Sequence, residues 1–119
     1  MRVLIVEGNP ELGAIWCRHL QRSGCDVVQV QSQAEAIEVL QTGPVDIIIL
    51  DLVLEEGSAL AVADFASYRH PGAKVIFVTD SSFFSDGSIF RHVPNACAMM
   101  PARTRPEDLG ALVEHYAMH

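Results

Sequence analysis

Four short apolar runs punctuate this chain: Val3 to Val6, Ile47 to Leu50, Val75 to Val78 and Cys97 to Met100. Each is too short for a helix and reads as a strand. The first three are rich in β-branched residues and show no polar alternation, the pattern of a parallel sheet covered by helices on both faces. A fifth strand is expected at Val27 to Val30, where polar Gln29 fits a sheet edge better than a centre.

Between these runs the apolar period lengthens to that of a helix. Asn9 is a natural N-cap and Pro10 suits the first helical position, where its missing N–H costs nothing. Leu12, Ile15, Trp16 and Leu20 then form one stripe, and Gly24 supplies a left-handed terminator. Ser32 and Glu35 have capping-box spacing for a second helix through Ile37 and Leu40, which Gly43-Pro44 ends. A third helix is expected from about Ala59 to Tyr68, closed by His70-Pro71-Gly72. The last has Thr104 and Glu107 available as caps, with Leu109, Leu112, Val113 and Tyr116 turned to the sheet. Asp80 to Pro94 is the least regular stretch and reads as a short, weak fourth helix. Five strand–helix alternations joined by right-handed crossovers predict an α/β, flavodoxin-like (βα)5 doubly wound parallel sheet in the order 2-1-3-4-5.

Composition narrows the function. At 119 residues the chain is expected to be one domain, 1–119, with no room for a second full core. A formal charge of -7 repels a phosphate backbone, and Arg103 with Arg105 is too small a basic cluster to reverse that, so no direct nucleic-acid binding is expected. Cys17, Cys25 and Cys97 are odd in number and widely spaced, which suits a reducing, cytoplasmic setting. The first apolar run is too short for a signal peptide or a membrane span. The five histidines show no paired metal-ligand spacing.

In a sheet of this kind, chemistry gathers where strands end at their carboxyl side. Those ends carry Glu7, Asp51, Thr79 and Met100-Pro101. Adjacent strands would bring Glu7 and Asp51 together, and two such carboxylates suit a hard divalent cation completed by backbone and water oxygens. For Glu7 a solvated strand-end carboxylate is the plain alternative. For Thr79 the alternative is a hydroxyl that caps the turn before Asp80.

This set of strand ends resembles the receiver domain of bacterial response regulators, over essentially the whole chain. In that family an acidic pair follows the first strand, a phosphoacceptor aspartate the third, Thr or Ser the fourth, and Lys-Pro the fifth. The matching positions are Glu7-Gly8, Asp51, Thr79 and Met100-Pro101. The resemblance implies magnesium-dependent transfer of a phosphoryl group to Asp51 from a histidine kinase, a phosphotransfer protein or a small phosphodonor. It also implies that Thr79 senses the phosphate and that the fourth helix, fifth strand and last helix form the output face. No independent metabolic activity is expected, and no membrane partner.

Three positions depart from the family. Gly8 supplies no carboxylate, which leaves Glu7 and Asp51 alone and predicts a weak or absent Mg2+ site. Met100 replaces the lysine and can neither neutralise charge nor donate a hydrogen bond. Cys97 stands where a switching aromatic is usual, either as a buried structural residue or as a redox sensor. Phe83, Phe84 and Phe90 are candidates for a partner anchor or for a seal on the sheet edge. The expectation is a stand-alone receiver-like signalling module with impaired or atypical phosphorylation; the rival is a phosphorylation-independent pseudo-receiver that docks other signalling proteins. A cofactor enzyme of flavodoxin type is disfavoured because Glu7-Gly8-Asn9-Pro10 is no Gly-rich phosphate loop.

Overall fold

Strand β1 (Arg2–Val6) lies beside both β2 (Asp26–Val30) and β3 (Ile47–Asp51), because its four buried residues need cover on each flank as well as on each face. β4 (Lys74–Val78) and β5 (Ala96–Met100) extend the sheet on the far side of β3, giving five parallel strands in the order β2-β1-β3-β4-β5. The computed structural model describes residues 1–54, 56–79 and 93–117. The expected fourth helix lies outside the described residues apart from its last two positions, as do Met118 and His119.

Four described helices cover the sheet: α1 (Pro10–Arg22), α2 (Gln33–Thr42), α3 (Ala59–Arg69) and α4 (Pro106–Ala117). Strand alternation sorts the core into two layers. Leu4, Val6, Ile48, Leu50, Val75 and Phe77 pack with the α2 and α3 residues Ala36, Leu40, Val62 and Ala66. Val3, Ile5, Ile47, Ile49, Ile76 and Val78 pack with Trp16 and Leu20 of α1 and Leu109 and Val113 of α4.

The helix starts follow local chemistry. Asn9 Oδ1 accepts from the backbone N–H groups of Glu11 and Leu12 at 3.0 and 3.3 Å, with Pro10 leading α1 as expected. Gly24, at φ 93°, takes the left-handed position after the helix end. The capping box at α2 is bent: Ser32 Oγ accepts from the Glu35 N–H, whereas Glu35 Oε1 reaches the Gln31 N–H at 3.3 Å.

Two expectations need correction. Thr104 does not cap α4: the helix starts at Pro106, after Arg105, and the Thr104 hydroxyl donates to the Pro101 carbonyl at 2.6 Å and closes the preceding turn. Ile15 is 43% exposed, so the α1 stripe is narrower than its letters imply. Gly13 fills the buried place instead, since a Cβ there would stand 2.7 Å from Gln29 Nε2. That amide donates to the Pro10 carbonyl at 3.0 Å, so the edge strand holds the start of α1 through Gln29.

β5 contains one further irregularity. Val75 pairs with Ala96 and Ile76 with Ala98, so Cys97 is an extra residue in a parallel ladder. Without this bulge Val78 would face Met99; with it, Val78 faces Met100.

Candidate functional site

The carboxyl edge of the sheet assembles from register. Val6 pairs with Leu50, so Glu7 and Asp51 are the next residues of two neighbouring strands, and the Glu7 N–H extends the ladder to the Val30 carbonyl at 3.1 Å. By alternation both belong to the sheet face covered by α1 and α4. The bulge sends Met100 to that face too, where it packs against the same core layer.

Glu7 is 3% exposed, so it is not the solvated carboxylate that was the plain alternative. Its Oε1 accepts from the Asn9 N–H at 3.1 Å. Asp51 is half-buried, and its Oδ1 accepts from the Val53 N–H at 2.9 Å, which ties the carboxylate to the first turn of the loop into α3. Asp51 pairs with Val78, and Thr79 follows directly, 7% exposed, with its N–H on the Met100 carbonyl at 3.0 Å and its carbonyl receiving the Ala102 N–H at 3.2 Å. Pro101 is exposed. The structure therefore brings Glu7, Asp51, Thr79 and Met100 to one edge. Phe83, Phe84 and Phe90 lie outside the described residues.

The two carboxylates offer the oxygen chemistry that magnesium prefers, and Gly8 adds none. Among the described residues no group of three or more His, Cys, Asp and Glu side chains is arranged to hold a metal. The donor type fits a hydrated Mg2+ while the donor number is low. A Cβ on Gly8 would meet nothing within 4 Å, so the missing carboxylate is a matter of residue type and not of space.

Lys74, the chain's one lysine, cannot stand in for Met100. It occupies the opposite end of the five-residue β4, roughly 13 Å from the site. There its Nζ donates to the Tyr116 carbonyl at 2.8 Å and lies 5.6 Å from the ring centroid. Tyr116 in turn donates its hydroxyl to the Cys97 carbonyl at 2.9 Å. Burial pushes the Cys97 thiol up from its ordinary value, opposed by Lys74, and its Sγ donates weakly to the Val75 carbonyl at 3.6 Å. That environment suits packing and not the activated thiolate of a redox sensor.

Sequence reading missed Gln33. Its N–H donates to the Glu56 carbonyl at 3.2 Å and its Oε1 accepts from the Ser58 N–H at 2.8 Å, so it grips both sides of Gly57 in the β3–α3 loop. The only local signal was Gly57 itself, whose φ of 102° calls for glycine.

This fold with an acidic edge of this kind defines a receiver-type domain. The model of the response regulator receiver domain matches residues 3–87, and the chain belongs to that family, the signalling module of two-component systems. It is 29% identical over 114 residues to the response regulator protein PilR of Pseudomonas aeruginosa, covering 95% of this chain and 24% of that protein. It is 37% identical over 60 residues to the swarming motility regulation protein RssB of Serratia marcescens, covering 50% of this chain and 27% of that one. The chain thus corresponds to about a quarter of the length of these two relatives. The CheY-like receiver domain protein of Methanospirillum hungatei superposes with a TM-score of 0.87 at 19% identity, over 96% of this chain and 90% of its own. Among the described residues no helix is long and apolar enough to cross a membrane.

Proposed function

We propose that residues 1–119 act as a single receiver-like signalling module in a two-component phosphorelay, with Asp51 as phosphoacceptor and with impaired or atypical phosphorylation. The observation that carries this reading is the pairing of Val6 with Leu50, which makes Glu7 and Asp51 the next residues of two neighbouring strands, beside Gly8 and Met100, which bring no charge. Partners would be a histidine kinase, a phosphotransfer protein or another signalling protein, with Phe83, Phe84 or Phe90 as anchors.

In the reaction an Asp51 carboxylate oxygen attacks the phosphorus of a phosphohistidine or of a small acyl phosphate. The new O–P bond forms as the P–N or P–O bond breaks. The departing nitrogen or oxygen keeps the electron pair, and Asp51 becomes a mixed anhydride. Magnesium held by Glu7 and Asp51 would neutralise charge on the phosphoryl oxygens. The Asn9 N–H orients Glu7 and the Val53 N–H orients Asp51, and the family pattern gives Thr79 the role of bonding a phosphoryl oxygen. Met100 leaves that oxygen cluster without the cation that a lysine would bring, so capture is slow or the product short-lived.

The test is incubation with an acyl phosphate, with and without magnesium, followed by intact mass. An adduct of one phosphoryl group that disappears in Asp51→Asn supports the reading, and no adduct under any condition overturns it. The distance of Lys74 from the site favours a second reading, a phosphorylation-independent pseudo-receiver. In that case partner binding is unchanged in Asp51→Asn.

A further inference from the structure

The loop that leaves Asp51 is held from outside itself. Asp51 Oδ1 is fixed by the Val53 N–H, so the direction of the carboxylate depends on where the residues after it run. Their far end is gripped by Gln33, the first residue of α2, which bonds the peptide groups on either side of Gly57. The fit is close: a Cβ on Gly57 would stand 2.3 Å from Gln33 Cβ and 2.7 Å from its Oε1. Ser58, whose N–H is held by Gln33, is also the N-cap of α3 and accepts from the Ala61 N–H at 3.3 Å. One residue, through its N–H and its side-chain oxygen, thus joins the start of α2, the start of α3 and the end of the Asp51 loop.

We infer that Gln33 is a positioning residue for phosphoryl acceptance: by clamping Glu56 and Ser58 it fixes the loop that orients Asp51, and so sets the rate at which Asp51 is phosphorylated. This rests on the reading of Asp51 as phosphoacceptor. On the loop the clamp touches backbone groups only, which is why it needs a side-chain acceptor at 33 and a glycine at 57 and makes no demand on the loop's other side chains. It also makes the α2 end of the molecule a control point for the site, since a partner that shifts α2 by a fraction of an ångström loosens the loop.

Position 33 permits a clean test. It is the first helical residue, where proline is accepted, and Ser32 before it is extended at φ -135° and ψ 165°, as a residue preceding proline must be. Gln33→Pro removes both the N–H donor and the side-chain acceptor, Gln33→Met removes only the acceptor, and Gln33→Glu restores an oxygen. Each is assayed by intact mass over time with an acyl phosphate and magnesium, by hydrogen exchange at the Val53 and Ser58 amides, and by denaturation.

The expected result is a loss of roughly tenfold in the maximal phosphorylation rate of Gln33→Pro, less in Gln33→Met, and partial rescue in Gln33→Glu, with faster exchange at Val53. A rate that is unchanged in Gln33→Pro while the wild type labels at Asp51 overturns the clamp alone. So does a loss that tracks global stability with no rescue by Glu. A wild type that never labels sinks the phosphoacceptor reading and the rate claim together, and Val53 exchange then reports separately whether the loop was held.

Discussion

The backbone N–H of Thr79 donates to the Met100 carbonyl at 3.0 Å, which fixes the end of β5 beside the end of β4. Because the Cys97 bulge turns Met100 to the face that also carries Glu7 and Asp51, a cation placed there would face the two carboxylates. Met100→Lys should therefore raise the amount or lifetime of the phosphoryl adduct several-fold. The aliphatic stem of lysine can cover the half-buried surface that Met100 covers now, so the fold should tolerate the change. Intact mass over time is the measurement. No change in either quantity would mean that another defect, Gly8 or the local geometry, and not Met100, limits the reaction.

Gly8→Asp supplies the carboxylate at a place where a Cβ meets no neighbour. Magnesium affinity measured by calorimetry should rise by about tenfold, and Glu7→Gln in the same background should take most of that gain away. Tight binding by the wild type that survives both Glu7→Gln and Asp51→Asn would refute the assigned site.

Gly57→Ala tests the loop anchor independently of any chemistry. Alanine must adopt φ 102° and push its Cβ into Gln33, so unfolding free energy should fall by at least ~1–2 kcal/mol. The single, buried Trp16 gives the fluorescence readout in urea. A stability equal to wild type would show that the loop repacks freely.

The pH dependence has a definite sign at Cys97. Its thiol is raised above the ordinary 9.0 by burial, so folding favours the neutral form. That contribution is fully present below pH 9 and is lost as pH rises through the higher folded-state value. Wild type should lose stability above pH 9 more steeply than Cys97→Ala, and Cys97 should react slowly with a thiol reagent at neutral pH. Fast labelling at pH 7 would contradict the environment described for it.

Much of the architecture was legible because it is written in short-range pattern. The apolar runs at Val3, Ile47 and Val75 have the wrong length for helices and the wrong composition for surface, and each became a strand with one extra residue at its boundary. Asn9-Pro10, Ser32 and Gly24 act through hydrogen bonds or dihedral angles within a few residues, so their roles needed no knowledge of the rest of the chain. Thr104 had the same kind of signal and went elsewhere: its hydroxyl closes the turn from Pro101, and α4 begins two residues later at Pro106.

By itself, then, the amino-acid order determined which segments are strands and helices and that Glu7, Asp51, Thr79 and Met100 end strands. Those facts follow from period and local bonding. Only the tertiary structure decided that Glu7 is buried, that a bulge at Cys97 turns Met100 toward the carboxylates, that Lys74 is spent at the far end of β4, and that Gln33 holds the Asp51 loop. Each of these depends on strand register or on a contact between residues far apart in sequence. Such contacts are set by how the sheet and helices pack together, and no local pattern encodes them.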